Sequence, residues 1–164
     1  LTEKQEEDSM LKEGDKAPGF SLQASTGSTV SLDDYLGKRN VVLYFYPKDN
    51  TPGCTAEACS FRDYSAEFEE AGAVILGVSA DSVKSHEGFA AKHHLSFPLL
   101  ADPDKSVISA YGVWKEKSMY GKTFLGIERT TFAIDKQGII RKVWPKVKVE
   151  GHINEVLEFV KGLG

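Results

Sequence analysis

The chain has 164 residues, 41% hydrophobic and 27% charged, with a formal net charge of −4. That balance is ordinary for a globular protein, and the length suits one domain, 1–164, with a core of its own. The interspersed charges leave no electrostatic footprint for nucleic acid, and no apolar run approaches the ~20 residues of a membrane helix.

The start, 1–13, reads as a loose, polar and acidic tail that is neither a secretory signal nor a transit peptide. The chain opens on Leu1, which implies processing or trimming, with Met10 as a candidate original start. Residues 20–22 and 29–30 flank the turn signal Ser25-Thr26-Gly27-Ser28 and predict a short hairpin. Residues 31–35 read as one helical turn ended by Gly37. The run 41–46, Val-Val-Leu-Tyr-Phe-Tyr, predicts a strand buried on both faces. A helix follows from Pro52 to about Ala71, with Thr51 as N-cap, Pro52 at the first helical position and Gly72 as terminator.

A second buried strand is expected at 73–79, then a helix over 83–94 capped by Ser82 or Asp81. Asp102-Pro103 opens a short helix reaching Tyr111. Residues 130–134 and 139–144 make a hairpin around Asp135-Lys136-Gln137-Gly138. Residues 151–163 close the chain as an amphipathic helix, with Ile153, Val156, Leu157 and Val160 on one face. Strands alternating with helices, then an antiparallel pair and a last helix, describe a mixed-sheet α/β domain. Arg141, Lys142, Lys146 and Lys148 read as an exposed strand end.

The only two cysteines, Cys54 and Cys59, fall in the helix that starts at Pro52. Cys54 lies in its first turn, where free N–H groups and the helix dipole favour a thiolate. On an intact helix, residues five apart are roughly 8.5 Å apart and point about 140° away from each other. A disulfide needs Cα atoms within about 7 Å. Either the pair never bonds, or the first turns unwind to let it. Cys54 shares the inward stripe of Phe61 and Phe68, whereas Cys59 shares a polar stripe with Arg62, Asp63 and Glu70. Two cysteines in a chain of this length suggest reducing surroundings and a transient disulfide.

Other readings of these residues stay open at this point. The cysteines can be unreactive core fillers. Zinc ligation fits poorly, because the spacing is wrong and no histidine pair supplies further ligands. His93-His94 read as surface or cap residues, and His86 and His152 as residues of solvated helices. The dithiol motif Cys-x-x-Cys is absent, which disfavours a disulfide reductase. No Gly-x-Gly-x-x-Gly or ligand cluster is present in the sequence, so no metal, haem, flavin or nicotinamide cofactor is expected.

The string Pro47-x-x-x-Thr51-x-x-Cys54 resembles the peroxiredoxin active-site motif. The longer run from Tyr44 to Asp63, including Thr51-Pro52-Gly53-Cys54-Thr55-x-Glu57-Ala58-Cys59, is similar to the peroxiredoxin Q, or bacterioferritin comigratory protein, branch. Gly112-Val113-Trp114-x-Glu116-Lys117, Gly121-Lys122 and Gly126-Ile127-x-Arg129-x-Thr131-Phe132 continue the match, which covers roughly residues 11–163. The resemblance implies a thioredoxin-like fold, a mixed central sheet flanked by helices with an N-terminal hairpin. It implies reduction of hydrogen peroxide and organic hydroperoxides by a thiol. By resemblance, Cys54 is the peroxidatic cysteine and Cys59 the resolving one. Thr51 would bond the thiolate and the peroxide, and Pro47 would shield the pocket. Arg129 would stabilise the thiolate and polarise the O–O bond, with Glu57 orienting it.

No cysteine follows Cys59, so resolution is expected within the helix or by an outside thiol. The expected partners are a peroxide and thioredoxin or a similar thiol reductant, and the expected state is a cytoplasmic monomer, plastid-located if the source is a plant. A redox-regulated binding protein using the same switch, a one-cysteine peroxidase with Cys59 passive, and a purely structural domain with unreactive thiols are the alternatives.

Overall fold

The strand that carries the most apolar sequence organises the molecule. The computed structural model describes residues 11–164, and in it β3 (Asn40–Phe45) is buried at every position. Successive side chains of a strand point to opposite faces. Val41, Leu43 and Phe45 therefore join one apolar cluster, while Val42, Tyr44 and Tyr46 join the other, which contains Cys54.

The remaining strands are β1 (Ser21–Ala24), β2 (Thr29–Ser31), β4 (Ala73–Ser79), β5 (Leu99–Ala101), β6 (Trp114–Met119), β7 (Lys122–Ile127), β8 (Thr130–Ile134) and β9 (Ile140–Trp144). Six of them join β3 in one mixed sheet in the order β2-β1-β5-β4-β3-β8-β9, and β6 and β7 form a separate ribbon. β3 runs parallel to β4 and antiparallel to β8, with Phe45 opposite Thr130. That register brings the start of β8, and Arg129 just before it, to the C-terminal end of β3. The expected N-terminal hairpin is present, Leu22 facing Val30, and β1 joins the sheet through β5.

The helices are α1 (Pro52–Asp63), α2 (Ser65–Glu70), α3 (Val83–Lys92), α4 (Ser106–Ala110) and α5 (His152–Lys161), with a single 3-10 turn at Leu32–Asp34. The helix expected over 52–71 is thus two helices. Tyr64, at φ −106° and ψ 11°, leaves helical geometry, and its N–H is shared between the carbonyls of Ser60 and Phe61. The break lets both Phe61 and Phe68 reach zero exposure with their rings 5.8 Å apart. Gly72 terminates α2 at φ 76°, a conformation glycine adopts without steric penalty.

Ser82, not Asp81, caps α3, accepting from the N–H of Ser85 at 3.1 Å. α4 starts at Ser106 rather than Asp102, because the buried Asp102 carboxylate turns back to accept from the N–H of Ile108 at 2.8 Å. β5 and the β6–β7 ribbon were not expected. β5 has three residues, and β6 reads Trp-Lys-Glu-Lys-Ser-Met with no buried position, so neither carries a hydrophobic period. The tail expected at 1–13 falls, for residues 1–10, outside the described residues. Leu11 packs partly against the first cluster, and Lys12 and Asp15 close a turn at 2.9 Å. Among the described residues, no helix is long and apolar enough to cross a membrane.

Candidate active site

The site forms where β3 ends. The chain leaves Tyr46, passes Pro47 to Asn50, and enters α1 through Thr51. Asn50 takes φ 65°, in the left-handed region that Asn tolerates better than most residues. Thr51 holds the N-cap position in an extended conformation, and Pro52 starts the helix. Cys54 is then the third helical residue, 1% exposed, among Tyr44, Tyr46, Ala58 and Phe61. Its position at a helix start favours negative charge on sulfur.

Arg129, from the turn before β8, reaches this thiol from across the sheet. Its Nη2 donates to Cys54 Sγ at 3.4 Å, and its Nη1 donates to Glu57 Oε1 at 2.8 Å. The guanidinium is thereby fixed at two points, with a side chain only 17% exposed. Glu57 is fully buried one turn beyond Cys54. Burial pushes its carboxyl up to about 7, against the opposing pull of the Arg129 charge and hydrogen bond. Its Oε2 has no hydrogen-bond partner, and neither has the buried hydroxyl of Tyr44. Burial, followed by the nearby Glu57 and Cys54 charges, raises the pKa of Tyr44 well above the phenol range.

Thr51 departs from the expected arrangement. Its hydroxyl makes no capping bond and instead donates to the carbonyl of Lys48 at 2.8 Å. With its proton so committed, the oxygen presents lone pairs and suits accepting from a peroxide O–H. Pro47 is half-buried at the strand exit. Cys59 is half-buried on the other side of α1, and both cysteines are free thiols. The structure thus gathers Cys54, Arg129 and Glu57, and leaves Cys59 facing elsewhere on an unbroken helix.

Two histidines differ from their sequence reading. His86 and His152 were expected on solvated helix faces, but they are 0% and 4% exposed. His86 bonds Asp49 and the carbonyl of Leu100, whereas His152 Nε2 lies 2.8 Å from Thr131 Oγ1. Burial, then the Arg129 charge, pushes His152 down to about 4. His93 ends α3, as expected of a cap residue. The expectation of no ligand cluster also meets a qualification: Asp49, Asp81 and His86 come within metal-binding distance of one another. Their donor atoms already serve hydrogen bonds to one another and to Tyr46, Ser79 and Ser85, which argues against an ion there.

Sequence reasoning missed four contributors to this region: Tyr44, Gly53, Asp49 and His86. Tyr44, Asp49 and Gly53 lie inside the quoted run without a role assigned to them, and nothing in the local pattern links His86 to it across 37 positions.

A buried thiol at a helix start, held by a charge-paired arginine on a mixed α/β sheet, defines a thiol-dependent peroxidase of thioredoxin-like fold. Residues 13–143 match the AhpC/TSA family, and the chain belongs to it, in its peroxiredoxin Q or bacterioferritin comigratory protein branch. It is 54% identical over 147 residues to a putative peroxiredoxin Bcp of Coxiella burnetii, covering 90% of this chain and 97% of that one. Peroxiredoxin Bcp of Bacillus subtilis is 52% identical over 150 residues, 92% of this chain and 95% of that one. Among solved structures, a cysteine mutant of Xylella fastidiosa PrxQ superposes with a TM-score of 0.87 at 43% identity, covering 93% of this chain and 96% of that one.

Proposed function

We propose that Cys54 is the peroxidatic cysteine and that Arg129, Thr51 and Glu57 serve its reaction. The observation that carries this reading is the 3.4 Å contact between Arg129 Nη2 and the buried Cys54 sulfur. The Cys54 thiolate attacks one peroxide oxygen; the S–O bond forms as the O–O bond breaks. The departing oxygen gathers negative charge, which the preorganised guanidinium stabilises, and it leaves as water or an alcohol after taking up a proton. Cys54 is left as a sulfenic acid. Thr51 accepts from the peroxide O–H, Pro47 limits water at the pocket, and Glu57 keeps the guanidinium aimed.

Cys59 then attacks the sulfenic sulfur, forming a disulfide and releasing water, once the first turns of α1 have unwound. A dithiol reductant of the thioredoxin kind supplies two electrons and two protons to restore both thiols. Both cysteines lie on one helix, so the cycle needs no second subunit, and the working unit is a monomer in a reducing, cytoplasmic setting. The Xanthomonas campestris bacterioferritin comigratory protein is described with an alkyl peroxide reduction activity, which supports organic hydroperoxides as substrates beside hydrogen peroxide.

The test is peroxide-dependent oxidation of reduced thioredoxin. The wild type turns over, Cys54→Ser does not, and Cys59→Ser forms a sulfenic acid once and recycles poorly. Full turnover by Cys54→Ser would sink the assignment, and normal recycling by Cys59→Ser would favour a one-cysteine mechanism.

A further inference from the structure

The segment 47–51 makes the turn that points Thr51 and α1 at the site, yet it is a loop with a left-handed residue, Asn50. Something must hold it. The fixed point is Asp49, 4% exposed in the middle of the turn. Its Oδ1 accepts from the Tyr46 hydroxyl at 2.6 Å, and its Oδ2 accepts from Ser85 Oγ at 2.8 Å. Its backbone N–H donates to Asp81 Oδ2 at 2.9 Å, and Asp81 is held in turn by Ser79 Oγ at 2.7 Å. The last partner is His86, whose Nδ1 lies 2.7 Å from Asp49 Oδ2.

The other face of the His86 ring decides its chemistry. Nε2 lies 3.0 Å from the carbonyl oxygen of Leu100, an atom that only accepts. Nδ1 faces a carboxylate and, at 3.4 Å, a tyrosine oxygen whose hydrogen is already given to Asp49. Neutral imidazole donates from one nitrogen and accepts at the other. Here both nitrogens must donate, so the ring is an imidazolium, wholly buried and paired with Asp49. Burial works against the Asp49 carboxylate, but the bonds from His86 and Tyr46 outweigh it and hold its pKa below the usual range.

We propose that His86 is a positioning residue of the peroxide reaction: as a doubly donating imidazolium it fixes Asp49, and through Asp49 the 47–51 loop that presents Thr51 and the start of α1 to the substrate. The pair joins that loop to α3 and, through the Leu100 carbonyl, to β5, the strand on which α3 packs. A buried pair of this kind contributes little net stability but specifies one arrangement, because a displaced partner leaves a bare charge behind. The loop holds groups that touch peroxide, so small displacements there cost rate steeply. The proposal rests on Cys54 being the peroxidatic residue.

Asp49→Asn tests it with the shape preserved. The amide donates to Nδ1 of a now neutral ring, whose Nε2–H still bonds Leu100. In the reduced full-length protein, oxidation of Cys54 by hydrogen peroxide should slow by about tenfold or more, while alkylation by iodoacetamide, which needs no Thr51, stays within about threefold. Nitrogen NMR of the His86 ring at neutral pH should show two protonated nitrogens in the wild type and one in Asp49→Asn. Ser85→Ala, which deletes one bond to Asp49, should show the same split more weakly, and it decides the question if Asp49→Asn does not fold. Equal slowing of both reactions, an unchanged peroxide rate, or a singly protonated ring in the wild type each overturn the proposal. A wild type whose Cys54 does not react with peroxide overturns the peroxidase assignment instead.

Discussion

A Cβ placed on Gly53 would stand 3.0 Å from Arg129 Nη2, the same nitrogen that lies 3.4 Å from the sulfur of Cys54. The glycine of the Thr-Pro-Gly-Cys string is therefore the space in which the arginine approaches the thiol. Its φ is not in the left-handed region, so backbone freedom is not its purpose.

Gly53→Ala separates the two consequences of that contact. Alanine is the better helix former by roughly 0.5–1 kcal/mol, so the melting temperature should hold or rise. The guanidinium must retreat from the new methyl, so Cys54 oxidation by peroxide should slow by about tenfold. Stopped-flow oxidation and a thermal melt on one preparation check both. An unchanged rate would show that the guanidinium need not stand where it does.

Glu57 should make the protein less stable as pH rises. Its folded-state value is about 7 against 4.5 for an ordinary glutamate. Between those values the folded chain holds a proton that the unfolded chain has lost. Its contribution is therefore full below 4.5 and is lost as pH rises through about 7, a change of roughly 3 kcal/mol at most. Glu57→Gln should melt higher than the wild type at about pH 8 and gain nothing at about pH 4. It should also react more slowly with peroxide, since the arginine loses its charged partner. Parallel melting curves for the two proteins across that range would reject the assignment.

His152 works in the opposite direction. Burial, then Arg129, pushes it down to about 4 from 6.5. The unfolded chain takes up a proton first, so stability is full above 6.5 and is lost as pH falls through about 4. His152→Gln should flatten this acid limb of the denaturation profile. A urea titration at several pH values measures it, and an equal slope in both proteins would remove His152 as its cause.

Oxidation should loosen α1 at its start and not at its end. Cys54 and Cys59 sit on one intact helix, roughly 8.5 Å apart by helix geometry, so a bond between them requires the first turns to melt. Phe61 and Phe68, at zero exposure, hold the later turns against the sheet. Loss of buried contacts should cost the disulfide form on the order of 1–3 kcal/mol. Amide hydrogen exchange should rise over residues 54–60 on oxidation while α2 keeps its protection. Equal protection in both states would assign resolution to an external thiol.

The sequence alone determined the elements whose residues repeat in a clear pattern, and the groups whose chemistry is local. The apolar run of β3, the Thr51-Pro52 helix entry, the position of Cys54 in the first turn and the inward stripe of Phe61 and Phe68 all follow from neighbours a few residues apart. The motif named Arg129 and Glu57 by resemblance. Only the tertiary structure decided what depends on residues far apart in the chain. The antiparallel register of β3 with β8 brings Arg129 to Cys54 across 75 positions. The fold buries His86, an expected surface histidine, against Asp49, a carboxylate 37 positions away. β6 and β7 pair with each other and bury almost nothing, so no hydrophobic period announces them. Periodicity reports which side of an element meets the core; it carries no information about which distant polar group will be there to meet it.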